Sequence, residues 1–445
     1  MKIRVIVLLC SFFLITVLCL IGCGGGGGGG HHNPGPITIS KAGGTYDFGN
    51  VTIGSSPAPF AMRICCTGEA EVTITEITLS DTVDFYLDMS SDEPCSSPPF
   101  TLVPGSCCTQ NIAFFPTETG NYSETVTVHY TIGDAPEAST STVTLTGTCT
   151  AVNQLSVNLN QIDRAFCPDI TAYVSVTDQN GYVVTGLENS ASNFLISENN
   201  GVEFSPDSVN FASQASLSMS AAILMDVSNS VTFDQTLVDA MEDAAVSFVD
   251  QMESSDQAEI IKFATLVAVV QEFTTDKPAL ISAIETYPNV GTHTALYDAI
   301  YKGIQDAALQ TTHRRAVIVL TDGTDDDGTG EPMSTQTEQS VIALAQAEGV
   351  PVFTVGVGDA NTAVLQNIAD ATGGQFYDAP SSDYLGTIYL QLSQLLNNQY
   401  VLSYSSREAG GSGDVTVTVR VPDDVPQTGV IGDTSNPMTY DSCPP

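Results

Sequence analysis

The chain has 445 residues, of which 51 are acidic and 12 basic, for a formal net charge of −39. Such a surface repels nucleic acid and anionic lipid and draws divalent cations, so a nucleic-acid partner is excluded. A hydrophobic fraction of 42% allows packed cores, and a charged fraction of only 14% suits an exported, β-rich protein better than a cytosolic enzyme.

Residues 1–22 read as an export signal, with Lys2 and Arg4 at the positive end and an apolar stretch from Val5 to Ile21. The stretch is short for a spanning helix and has no basic stop-transfer flank. It ends in Leu20-Ile21-Gly22-Cys23, which resembles the bacterial lipobox. The resemblance implies a mature chain that begins at Cys23, carries acyl chains there and sits in the bacterial cell envelope. Gly24 behind Cys23 resembles outer-membrane sorting. An uncleaved N-terminal anchor helix is the competing reading. Residues 23–36, with continuous glycine from Gly24 to Gly30 and then His31 and His32, form a flexible tether.

With Cys10 and Cys19 removed and Cys23 lipidated, eight cysteines remain: Cys65, Cys66, Cys95, Cys107, Cys108, Cys149, Cys167 and Cys443. An even number in an exported chain points to disulfides. The adjacent pairs Cys65-Cys66 and Cys107-Cys108 lack the spacing of zinc sites.

Residues 37–150 alternate in period two, as in Glu71–Ile77 and Glu124–Tyr130, and show no useful helical period. An all-β sandwich is expected. The segments YDFGNVTIG at 46–54, FTLVPGS at 100–106, FFPTETGNYSETVTV at 114–128 and TLTGTC at 144–149 resemble hydin-like (ASH) immunoglobulin-like modules. That resemblance implies a spacer or binding module.

Residues 151–214 are again strand-like, with Ala172–Thr177 followed by a turn at Asp178-Gln179-Asn180-Gly181. From 215 to 397 strands and helices alternate. The predicted strands Ala221–Asp226, Ala258–Phe263, Ala316–Thr321 and Val352–Gly356 are apolar throughout, which means burial on both faces. Phe233, Leu237, Met241, Ala244, Phe248 and Met252 repeat at three and four and form one helical stripe; Ala295–Leu309 and Val341–Ala347 behave similarly. This pattern predicts an α/β doubly wound, Rossmann-like parallel sheet. Residues 398–445 return to strand, in Gln399–Tyr404 and Asp414–Val421. Strand segments on both sides suggest that the α/β unit is inserted into a β module, with Cys167 paired to Cys443.

Three loops of the α/β unit carry chemistry. Asp226-Val227-Ser228-Asn229-Ser230 follows one strand, Gly291-Thr292-His293-Thr294 opens a helix, and Thr321-Asp322-Gly323 ends another strand. Open α/β sheets bind ligands beyond the carboxyl ends of their strands, where all three loops can meet. Their serines, threonine and aspartates offer only oxygen, which suits a hard cation such as Mg²⁺. Ser228, Ser230 and Thr294 could instead be helix N-caps, and Asp322 a turn residue. Asp325-Asp326-Asp327-Gly328 departs from the EF-hand pattern and reads as a solvated acidic loop.

The DxSxS, threonine-loop and TDG set resembles the metal-ion-dependent adhesion site of von Willebrand factor type A domains. The resemblance implies that Ser228, Ser230 and Thr294 bind Mg²⁺ (or Mn²⁺ or Ca²⁺) directly, while Asp226 and Asp322 act mostly through water. Thr292 is an alternative to Thr294. It also implies an adhesion or protein-binding function, here on a chain that the lipobox resemblance anchors in lipid, with a protein partner that offers an acidic side chain to the metal. A structural envelope scaffold is the alternative. No HExxH, GxSxG or P-loop pattern is present, so an enzyme is not expected.

Overall fold

The computed structural model describes residues 37–443 apart from 53–58, 81–83, 89–93, 134–137, 214–216, 359, 380–381, 409–412 and 427–428. The expected export signal, Cys23 and the tether lie outside the described residues. Among the described residues, no helix is long and apolar enough to cross a membrane.

Residues 37–150 contain only strands among the described residues. One sheet orders Ile37–Ile39, Phe60–Cys66, Cys107–Phe114 and Phe85–Asp88; the other orders Thr45–Thr52, Ser139–Thr150, Gly120–Ile132, Val72–Leu79 and Phe100–Leu102. The period-two pattern does the sorting: Val126 and Val128 are buried, and Thr127 between them is not. Met62, Ile64 and Phe114 from the first sheet meet Val51, Ile74, Val128 and Leu145 from the second in a shared core.

Disulfides Cys65–Cys107 and Cys95–Cys108 staple the first sheet. The expected pairing of all eight cysteines needs correction, because Cys66 and Cys149 are buried thiols. Neighbours on a strand face opposite sides. Cys65 reaches Cys107 across the ladder, while Cys66 turns inward and its Sγ donates to the Ala70 carbonyl at 3.2 Å.

The second β unit is assembled from distant stretches. One sheet orders Leu155–Phe166, Asp169–Asp178, Tyr400–Ser405 and Ser208–Phe211; in the other, Asp414–Val421 pairs with Leu195–Glu198, Asp433–Thr434 and Met438–Asp441. Val174, Ile196, Leu402 and Val417 share its core. Cys167 is bonded to Cys443, 276 residues away, so both ends of this unit are tied covalently.

Between its two halves lies a six-stranded sheet in the order Val267–Thr274, Gln257–Phe263, Met219–Asp226, Arg314–Thr321, Val352–Val357 and Phe376–Ala379. Each residue of Met219–Asp226 is buried, as the unbroken apolar run predicts. Helices Gln235–Gln251, Lys277–Ile284 and Leu385–Asn397 cover one face. Leu296–Ala308, Glu338–Glu348 and Thr362–Thr372 cover the other.

Two expectations are corrected here. The sheet is parallel except for Val267–Thr274, an antiparallel edge strand joined by a tight hairpin. Its residues are mostly half-buried, which blurs the pattern by which it could be read. Phe233 does not belong to the buried stripe. The Asp234 carboxylate accepts the backbone N–H groups of Thr236 at 3.0 Å and Leu237 at 3.2 Å, so the long helix begins after Phe233. Phe233 is left 83% exposed, while Leu237, Met241, Ala244 and Phe248 are buried.

The base of the sheet, opposite the carboxyl ends of its parallel strands, sits on the second β unit through buried polar side chains. A bulge at Leu159–Gln161 presents Asn160 and Gln161 together. Asn160 Nδ2 donates to the Gly373 carbonyl and Gln161 Nε2 to the His313 carbonyl, each at 2.7 Å. Gln161 Oε1 accepts Arg315 N–H at 3.1 Å.

A disulfide that closes a long loop stabilises mainly by restricting the unfolded chain. Replacing Cys167 and Cys443 by serine is therefore expected to cost about 2–4 kcal/mol. Denaturant unfolding with the slope held in common checks this, and an unchanged midpoint would contradict it.

Candidate metal centre

Asp226 ends the strand Met219–Asp226 and is fully buried. Its Oδ1 accepts Ser228 N–H at 2.8 Å, and its Oδ2 accepts the Thr321 hydroxyl at 2.6 Å. These bonds set the direction of the Asp226–Ser230 loop and lash it to the neighbouring strand. Ser228 occupies the N-cap position of the short helix Asn229–Thr232, yet its hydroxyl makes no capping bond. It lies instead 3.0 Å from Ser230 Oγ. Ser230 Oγ donates to Asp322 Oδ1 at 2.9 Å, joining the first loop to the third.

The second loop arrives through backbone contacts. Asn229 N–H donates to the Thr292 carbonyl at 3.1 Å, and Thr294 and Asp326 exchange two backbone bonds of 3.1 Å each. The Thr294 side chain is buried and turned inward: a Cβ placed on Gly323 would lie 3.5 Å from Thr294 Oγ1 and 3.9 Å from Asp226 Oδ2. Thr294 precedes Ala295, which holds the N-cap position of Leu296–Ala308, so it is not that helix's cap. Thr292 is exposed and serves the loop through its backbone. Asp226, Ser228, Ser230 and Asp322 are thus linked side by side on the carboxyl rim, and the Thr294 hydroxyl faces Gly323 on the same rim.

Two supporting residues escaped sequence reasoning in their roles. Thr321 links Asp226 to Gly323, donating to the first and accepting the N–H of the second at 3.1 Å. Thr265 Oγ1 accepts the N–H groups of Thr292 and His293, each at 3.0 Å. Gly291 is required beside it: its φ is +93°, and a Cβ there would come within 2.5 Å of the Thr265 side chain. The only sequence sign of Thr265 was its place just past a strand end. Asp325 is more internal than a solvated loop residue, since its Oδ2 accepts Ser334 N–H at 3.0 Å. His293 is exposed on the rim.

The oxygen set fits a small hard cation. Ligands about 2.1 Å from the centre of an octahedron lie about 3 Å apart along its edges. The Ser228–Ser230 separation, 3.0 Å, has that spacing. Electrostatics agree. Burial pushes the Asp226 carboxyl up to about 6, against the hydrogen bonds from Thr321 and Ser228, with Asp322 adding repulsion. Burial also raises Asp322. A cation beside both would relieve that cost. Among the described residues no group of three or more His, Cys, Asp or Glu side chains is placed to hold an ion. The present set differs in drawing most of its oxygens from hydroxyls.

Residues 222–391 match the von Willebrand factor type A domain, so this part of the chain is a domain of that type. No curated protein matches the chain. Similar solved structures include proximal thread matrix protein 1 from the mussel byssus, at 22% identity and a TM-score of 0.34 over 42% of this chain and 47% of that one. This chain therefore spans about half of that protein's length. The von Willebrand domain of the type V pili tip protein Mfa5 from Porphyromonas gingivalis aligns at 12% identity and 0.34, over 41% of this chain and 95% of that one. A von Willebrand factor type A protein from Catenulispora acidiphila aligns at 12% and 0.37, over 65% and 72%.

The raised Asp226 carboxyl has a signed consequence. Between the ordinary carboxylate value of 3.8 and about 6, the folded protein holds a proton there that the unfolded chain has lost. Without metal, stability contributed at this site therefore falls as pH rises through that window. Melting in chelator at pH 4.5 and 7.5 should show a smaller drop for Asp226→Asn than for the unaltered chain; equal drops would contradict the assignment.

Proposed function

We propose that this protein is a cell-envelope adhesion or protein-binding protein that engages its partner through a divalent cation. The observation that carries this reading is the convergence of Asp226, Ser228, Ser230, Thr294 and Asp322 on one rim of the type A domain. The hydroxyls of Ser228, Ser230 and Thr294 would hold the ion directly. Asp226 and Asp322 would act mostly through water, Asp226 being already committed to Ser228 and Thr321 through its two oxygens. Neutral hydroxyl ligands leave most of the ion's charge uncompensated. When bound, Mg²⁺ (or Mn²⁺ or Ca²⁺) supplies a strong attraction for an acidic side chain of a protein partner. Ser230 is exposed and Asp322 partly so, which gives that side chain access.

The remaining parts serve presentation. Lipid at Cys23 anchors the chain in the envelope, at the outer membrane, and the Gly-rich tether of 23–36 gives it reach. Residues 37–150 act as an immunoglobulin-like, hydin-like spacer, and the β segments at 151–214 and 398–445 frame the type A domain of 215–397. The activity is binding, not catalysis.

Calorimetric titration of the full chain with MgCl₂ tests the site. Saturable one-to-one uptake is expected, lost in Asp226→Ala and weakened at least tenfold in Ser228→Ala and Thr294→Ala. A metal that binds the folded state also raises the melting temperature, by an amount that keeps rising with the logarithm of metal concentration above the dissociation constant. Absence of uptake of magnesium, manganese and calcium would leave the scaffold reading in its place.

A further inference from the structure

We propose that the rim of the metal centre selects a partner loop that carries, beside its carboxylate, both an apolar side chain and a basic one, with Phe233 and Leu266 reading the apolar side chain. This rests on the metal-bridged binding described above.

Phe233 and Leu266 are large apolar side chains left 83% and 62% exposed. Each stands next to a metal loop. Phe233 N–H donates to the Asn229 carbonyl at 3.1 Å, one helical turn beyond the Ser228–Ser230 pair. Leu266 follows Thr265, the residue that braces the Thr292–His293 backbone. Asn229 N–H also binds the Thr292 carbonyl, so the segments that carry Phe233 and Leu266 are both tied to the Gly291–Thr294 loop.

That stretch has a firm floor. Val227, Ala264 and Val290 form a small buried cluster separate from the two main cores of the domain. Val227 N–H donates to the Phe263 carbonyl and Leu266 N–H to the Val290 carbonyl, each at 2.8 Å. Backbone bonds therefore fix the stretch that carries Leu266. Exposed apolar side chains beside a polar centre gain from burial against apolar groups of a partner.

The bank beyond Thr294 is the opposite in character. The loop of residues 324–331 carries Asp325, Asp326, Asp327 and Glu331, and residues 322–337 contain no Lys or Arg. The backbone pairing of Asp326 with Thr294 fixes this loop against the metal centre. A second acidic group on the partner would meet repulsion there, and a basic group attraction. One centre that takes a carboxylate, with exposed apolar side chains and an acidic loop beside its loops, defines the kind of partner.

The test is selection from a disulfide-closed random peptide library on the full chain, with binding in MgCl₂ and elution by chelator. Enriched loops should carry Asp or Glu together with an apolar residue and a Lys or Arg close by. Phe233→Ser combined with Leu266→Ser should bind such a loop at least tenfold more weakly while magnesium titration is unchanged, since both positions are solvent-facing. Loops that share an acid but no apolar neighbour, or undiminished binding by the double variant, overturn the inference alone. Selection with no acidic consensus in magnesium overturns the metal-bridged reading and the inference with it.

Discussion

A carboxylate at the carboxyl end of a central buried strand is costly unless each of its oxygens finds a partner. Asp226 satisfies that demand in a way that builds the site. One oxygen holds the Ser228 backbone and fixes the turn that brings Ser228 and Ser230 side by side. The other holds Thr321, which in turn braces the backbone of Gly323 next to Asp322. The same burial that makes this residue expensive excludes water from one side of the centre. A cation there would meet oxygens already facing inward.

Among the described residues, the rim leaves Ser230, Thr292 and His293 exposed. The type A domain is inserted between Ser208–Phe211 and Tyr400–Ser405, so chain entry and exit are at its base. Asn160 and Gln161 grip the base through bonds to Gly373, His313 and Arg315. The Cys167–Cys443 bond closes the β unit beneath it. Nothing in this plan requires the carboxyl rim for support. The strongly negative chain does oppose an acidic partner at long range, but charges farther than about 8 Å are screened at physiological salt, and a local divalent ion acts within that distance.

Much of this was legible in the chain itself. Unbroken apolar runs such as Ala221–Asp226 read as doubly buried strands because parallel strands covered by helices show no alternation. The candidate loops were readable because oxygen-bearing residues sit at short spacings, in Asp226–Ser230 and Thr321–Gly323 after strand ends and in Gly291–Thr294 before a helix. What escaped has physical causes. The antiparallel edge strand Val267–Thr274 is half-buried and yields neither pattern cleanly. Thr265 acts through space on residues 27 and 28 positions away, which no local spacing reports. Phe233 matched the helical stripe by spacing, and only the Asp234 cap shows that the helix starts beyond it. The two thiols Cys66 and Cys149 reflect strand facing, which parity of cysteine number does not encode.

The most direct test of the account is an anomalous-diffraction map from crystals of the protein grown with manganese. One strong peak is expected, bounded by the hydroxyls of Ser228, Ser230 and Thr294, with Asp226 and Asp322 set behind water. A peak elsewhere, or hydroxyls of these three residues too far apart to share a single ion, would contradict it.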